Sequence, residues 1–172
     1  VAGSKFMPAS GKWWENPKKM YGRVKHTHEG KSWLSAYSDD LGQSLEPTVI
    51  VDGVFFAIDV TKIKSKFDET FKGFHFYDVS FCFKNYLDGV KIGVSTLIRV
   101  NHKSIGMTND AWEVNRLQFE ERFKGHLPIN IKKTLRKGQR LKVLIGCLTP
   151  DKYILNLIDS LKGENCDIYL AS

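Results

Sequence analysis

The feature that most constrains this chain is the aromatic run Gly73-Phe74-His75-Phe76-Tyr77-Asp78-Val79-Ser80-Phe81, set between two apolar stretches. Before it runs Val51-Asp52-Gly53-Val54-Phe55-Phe56-Ala57-Ile58. After it come Val90-Lys91-Ile92-Gly93-Val94 and Val100-Asn101-His102. β-Branched and aromatic residues bounded by Gly and Asp read as buried strands. From Tyr77 the period changes: Val79, Phe83 and Tyr86, with Cys82 beside them, fall on one helical face. The spacing predicts a helix over 77–87, closed by Asp88-Gly89, with Gly supplying the left-handed C-terminal residue. Asp78 then sits in the first helical turn, where the helix dipole favours a carboxylate. It is either a capping acid or a catalytic one, because α/β enzymes build sites where strands end and helices begin.

The Asp52-Gly53 step interrupts the first apolar run and suggests a bulge or a close backbone approach to something bound. Pro47 to Val60 otherwise reads as β-rich, and 61–67 as a short helical turn. Residues 1–47 look irregular, with Val1-Ala2-Gly3 like the inside of a strand, 23–28 a short strand, and 29–47 loop or hairpin. Helix signals return at 108–123. Asp110 with Glu113 gives a capping-box-like start, and Trp112, Phe119 and Phe123 keep one face. Gly125 and Pro128 end it. A basic linker follows over 128–140. Then Lys142 to Leu148, an N-cap at Thr149-Pro150, an apolar helix face through Leu161, and Cys166 to Ser172 predict a βαβ unit over 141–172. It is either the opening of a second α/β domain or added strands of the first sheet.

A length of 172 residues suits one domain, or one domain and part of another. Hydrophobic residues make up 42%, enough for a substantial core. No apolar run approaches the roughly 20 residues of a membrane-spanning helix. The net charge of +7 is concentrated near the start and again from Lys132 to Lys142. The later run reads as a solvated face, an anionic-surface or nucleic-acid patch, or phosphate-holding charge. No specific nucleic-acid motif accompanies it. The three cysteines are widely spaced without a C-x-x-C pattern, which argues against a disulfide framework or zinc site and fits a reducing, cytoplasmic compartment.

The stronger catalytic signatures are absent: no P-loop, no G-x-G-x-x-G, no H-E-x-x-H, no G-x-S-x-G. Asp39-Asp40 is the nearest acid pair and reads as loop. His26 and His28 share one side of a strand and read as a surface pair more readily than a metal site. His75 is hemmed in by Phe74 and Phe76. His102, at a strand end before Lys103-Ser104, suits a metal or phosphate oxygen better. Adjacent Trp13 and Trp14 suit a stacking platform for a sugar or base, with at least one of them core.

Taken in order, Val51-Asp52-Gly53-Val54-Phe55-Phe56-Ala57, Phe67-Asp68-Glu69, Gly73 to Phe81, Gly89 to Val94, and His102-Lys103-Ser104 with Trp112 and Asn115-Arg116 resemble the second half of family-2-like glycosyltransferases of the GT-A fold. The resemblance covers roughly residues 1–127. It implies an α/β fold with a mixed β-sheet and flanking helices, here without the N-terminal half that carries the donor site. It also implies a nucleotide-diphosphate sugar as donor, a divalent metal (Mn2+ or Mg2+), and a carbohydrate or related hydroxyl acceptor. Asp78 matches the family's general base and His102 a strand-end metal or diphosphate ligand. Trp13, Trp14, Asp52, Gly53, His75 and Tyr77 would line the sugar cleft. Half a GT-A sheet exposes an edge, so self-association is expected. A non-catalytic carbohydrate- or anion-binding module is the competing expectation.

Overall fold

The computed structural model describes residues 1–37, 45–98, 100–103, 106–131, 141–146 and 166–171. Strands β1 (Ala2–Ser4), β2 (Phe6–Met7), β3 (Met20–His28), β4 (Lys31–Ala36), β5 (Leu45–Pro47) and β6 (Ile50–Val51) come first. Helix α1 (Tyr77–Leu87), strands β7 (Gly93–Ser95) and β8 (Val100–His102), helix α2 (Asp110–Phe123) and strands β9 (Ile129–Asn130), β10 (Leu141–Gly146) and β11 (Cys166–Ala171) follow. The architecture is mixed α/β, consistent with a GT-A-like domain.

The main sheet runs β4-β3-β1-β6, with β8 also on β3. β3 changes neighbours along its length. Its first residues pair antiparallel with β1 (Ala2↔Gly22, Ser4↔Met20), and its second half pairs antiparallel with β4 and parallel with β8. Gly22 marks the changeover. Its φ is +99°, and a Cβ there would lie 1.9 Å from the Val1 carbonyl oxygen. So the longest strand described falls in the region the sequence presents as irregular. Gly22 breaks the alternation that reveals strands, while Met20, Tyr21 and Val24 around it are buried.

The core between helices and sheet is aromatic. Phe83 of α1 meets Phe119 and Phe123 of α2, with ring centroids 5.5 and 5.1 Å apart, and Phe76 lies 5.5 Å from Phe119. Met7, Met20, Val49, Ile50 and Val94 supply the sheet side. Within this core Glu46 of β5 is fully buried, and the Lys5 ammonium lies 2.8 Å from its carboxylate and 4.2 Å from the Tyr21 ring centroid. Burial pulls the Lys5 pKa down, but the hydrogen bonds and charges of Glu46 and Tyr21 outweigh it and leave it raised.

α1 has the bounds its apolar face predicts, and Gly89 closes it at φ +82°. α2 begins at Asp110, two residues later than expected. Asn109 is the N-cap, its side chain accepting from the Trp112 N–H at 2.9 Å, and Asp110 is the first helical residue. Two strand and helix expectations are overturned. The first apolar run stops pairing at Val51, and Val54-Phe55-Phe56 is not strand. The Asp52 carboxylate accepts from the Val54 N–H at 3.2 Å, turning the chain out of the sheet. Residues 61–67 hold a turn rather than a helix. The Asp59 carboxylate accepts from both the Thr61 N–H and hydroxyl, a local bond that competes with helix formation.

β10 and β11 pair in parallel, Leu141↔Cys166 through Gly146↔Ala171, as a βαβ unit requires. The helix expected between them, most of the basic linker and the Asp39-Asp40 pair lie outside the described residues. Phe83→Ala removes a ring buried on all sides and is expected to lower unfolding stability by about 3–5 kcal/mol. Urea denaturation followed by circular dichroism measures it.

Candidate functional site

The site forms where the turn after β6 meets the first turn of α1. Phe76, the residue before α1, has φ +61°, a left-handed conformation rare for a bulky side chain. It is held there by its ring, buried among Phe71, Trp112 and Phe119. Such strain costs on the order of 1–3 kcal/mol and persists only where surrounding packing over-determines it. The result is a sharp turn that directs Tyr77 and Asp78 back at Gly53.

Two hydrogen bonds join the two segments, and a third holds the Asp78 carboxylate within α1. Gly53 N–H donates to Asp78 Oδ2 at 2.9 Å, Val79 N–H donates to Asp78 Oδ1 at 2.8 Å, and the Tyr77 hydroxyl donates to the Gly53 carbonyl at 3.2 Å. Both backbone groups of Gly53 are therefore taken by α1 side chains rather than by a neighbouring strand. A Cβ at Gly53 would lie 2.4 Å from the Tyr77 hydroxyl oxygen and 2.8 Å from Asp78 Cβ. The expected close approach at Asp52-Gly53 is real, and the approaching groups are Tyr77 and Asp78 themselves.

Burial pushes the Asp78 carboxyl above the ordinary carboxylate range. The two N–H donors only partly offset this, and the Asp52 charge adds to it. Burial likewise raises Asp52, against the Val54 N–H and the nearby His102 and His26. The Tyr77 phenol is raised by burial, then by Asp78 and Asp52. Burial pushes the Cys82 thiol up to about 12, with Sγ against the Val51 carbonyl at 3.7 Å. At neutral pH that thiol is a core group and not a nucleophile.

The structure thus brings together Asp52, Gly53, Tyr77 and Asp78, with His102 within electrostatic reach. Trp13 and Trp14 divide as the sequence suggests. Trp13 is 8% exposed and Trp14 38%, their rings edge to face at 5.8 Å. Trp14 also meets Trp112 at 5.6 Å, and Trp112 meets Phe76 at 5.5 Å. Trp14 is therefore linked to the residue preceding Tyr77-Asp78. His75 stands in the turn between the exposed Phe74 and the buried Phe76. Among the described residues it is tied to the carboxylates through the chain and not by a side-chain bond.

Other residues of the sequence pattern act as supports. The Asp68 carboxylate pairs with Arg122 and bonds the Thr70 N–H and hydroxyl. Asn115 donates to the Lys72 carbonyl at 2.9 Å, and Arg116 to the Ser10 carbonyl at 2.9 Å, fixing the loops before α1 and around Trp13-Trp14. Sequence reasoning undervalued His26. Its imidazole stacks on Trp33 at 5.1 Å and lies 5.6 Å from the His102 ring. The hairpin register, His26↔Trp33, was the signal that could have found it.

Among the described residues no group of three or more His, Cys, Asp or Glu side chains is placed to hold a metal ion. These residues do not fit a complete divalent-metal site. No described helix is long and apolar enough to cross a membrane.

The Glycosyltransferase like family matches residues 1–123, from β1 to the last residue of α2, and the chain belongs to that family. It contains a family-2-like glycosyltransferase domain, and its general function is glycosyl transfer. No curated protein and no solved structure matches the chain.

Two outcomes test the geometry. Gly53→Ala forces apart the Tyr77 and Asp78 contacts and is expected to destabilise the protein by about 1–3 kcal/mol in urea titration. Asp78→Asn carries a pH signature. The folded state raises the Asp78 pKa, so this group's stability contribution is present at acidic pH and lost as pH climbs through the shifted value. The stability deficit of Asp78→Asn against the native protein should therefore shrink as pH rises above the ordinary carboxylate range, as paired urea melts would show.

Proposed function

We propose that this domain transfers a sugar from a nucleotide-diphosphate donor to a carbohydrate hydroxyl, with Asp78 as the general base. The observation that carries the reading is the Asp78 carboxylate, fixed by the Gly53 and Val79 amides and raised in pKa by burial. A base is most effective when its pKa is brought toward the working pH, and burial moves Asp78 in that direction.

The acceptor oxygen forms its bond to the anomeric carbon as the bond from that carbon to the nucleotide diphosphate breaks. The hydroxyl proton passes to the Asp78 carboxylate, and the electron pair of the broken bond leaves with the diphosphate. Asp52 and the Tyr77 hydroxyl stand beside Asp78 to orient the acceptor. Trp14 offers an aromatic face linked through Trp112 to Phe76, the residue before Tyr77. We assign His102 to the donor's metal and diphosphate end, as one ligand of a set that the described residues do not complete. The family resemblance supports that assignment.

The test is a transfer assay of the chain against uridine and guanosine diphosphate sugars with oligosaccharide acceptors. Asp78→Asn should lower kcat by about 10²–10⁴-fold, the usual contribution of a general base. Near-native circular dichroism would show that the fold survives. The base must be ionised, so the acid limb of the native pH–rate profile should lie above the ordinary carboxylate range. Undiminished transfer by Asp78→Asn would sink the assignment.

A further inference from the structure

A cavity of about 530 Å³ lies next to the junction of β6 and α1, yet Asp52, Gly53, Tyr77 and Asp78 do not line it. Val51, the residue before Asp52, and Cys82, one helical turn past Asp78, form part of its wall. Phe55, Phe56, Ile58 and Ile63 of the segment that leaves the sheet after β6 form another part, and Ile92 closes a third side. These five apolar residues pack on the core but stay only half-buried. Asn85 of α1 fixes the far end of that segment. Its side-chain oxygen accepts from the Lys64 and Ser65 N–H groups at 2.8 and 3.1 Å, and its amide donates to the Ser65 carbonyl at 2.9 Å. The space is therefore held by the fold. Its mouth is cationic, because Lys62, Lys64 and Lys91 also line it and are exposed. The acids beside them are engaged elsewhere: Asp59 accepts from Thr61, and Asp88 from the Ser65 hydroxyl. None of the three ammoniums forms an ion pair with a described carboxylate.

We propose that this cavity binds a single-chain anionic amphiphile, a long-chain carboxylate of the fatty-acid type. Its alkyl tail lies among the Phe and Ile side chains and its head group meets Lys62, Lys64 and Lys91. The binding site goes beyond glycosyl transfer and uses none of the residues assigned to it. A cavity with such walls offers water few hydrogen bonds, so an alkyl chain is its natural filling. The volume falls within the roughly 300–1,000 Å³ of small-molecule sites. Charge selects the head group: three unpaired ammoniums at one mouth attract an anion and gain nothing from a neutral lipid. A sugar or a nucleotide is disfavoured, because its polar groups would lose water against apolar walls without new partners. Since Val51 and Cys82 belong to the strand and helix that lead to Asp52 and Asp78, a bound tail also braces those two elements.

The experiment is calorimetric titration of the full chain with octanoate, decanoate and dodecanoate, and with dodecanol as the neutral control, all kept below micelle formation. One carboxylate per chain is expected. Kd should fall about fifteenfold for each two-carbon step, the scale of two buried methylenes. Dodecanol should bind about tenfold more weakly than dodecanoate. Ile92→Trp fills the cavity and should raise the dodecanoate Kd at least about tenfold. The double variant Lys62→Glu/Lys64→Glu changes only exposed positions, so it tests the head-group site even if the tryptophan variant fails to fold. It should abolish the preference for dodecanoate over dodecanol, with circular dichroism confirming the native fold. Four outcomes overturn the site: no carboxylate binds, chain length has no effect, dodecanol binds as tightly as dodecanoate, or the folded variants bind like the native chain. The last, with several carboxylates per chain, would mark adsorption to the surface.

Discussion

The hydrogen bond from the Gly53 amide to the Asp78 carboxylate is the interaction on which the site depends. It meets two needs at once. A backbone N–H leaving a sheet must find an acceptor, and a buried carboxylate must find donors. Here each group is the other's answer, across 25 positions of sequence. The Tyr77 hydroxyl completes the arrangement by taking the Gly53 carbonyl. The end of β6 and the start of α1 are thereby fastened without a ladder between them.

The rest of the domain holds that junction in register. The aromatic core fixes α1 against α2, and the Phe76 ring, locked into that core, sustains a backbone turn that a bulky residue rarely makes. Polar ties then run outward from α2. Arg122 reaches Asp68, Asn115 reaches the Lys72 carbonyl, and Arg116 reaches the Ser10 carbonyl. Two secure the loop before α1 and the third the loop around Trp13-Trp14, so α2 supports the site without contributing a reacting group. Such remote support is how a site gains geometric precision.

Much of this was legible in the sequence, for physical reasons that differ by element. α1 could be read because Val79, Phe83 and Tyr86 repeat at helical spacing and Gly89 ends the repeat. The family could be read because its motifs occur in order, and the match over residues 1–123 agrees. β3 was mostly hidden, since Gly22 interrupts its alternation. The end of β6 was misjudged because Val54-Phe55-Phe56 has strand composition, while the bonds that divert it come from Asp52 and from side chains on α1. The stack of His26 on Trp33 could not be read because its neighbours Trp33 and His102 come from two other strands. In each miss the deciding partner is distant in sequence, where local pattern carries no information.

The junction also bears on how a domain of this kind can vary. Gly53, Tyr77 and Asp78 share one small volume, with an absent side chain at the first position making room for the other two. A drift at any one of them removes the reason for the others. Substitutions at these positions are therefore tied together as a single inherited unit, although a long stretch of chain separates the first from the other two. The loop that fills that stretch is held to α2 at Asp68, Lys72 and Phe76, and its freedom to vary lies between Gly53 and those anchors.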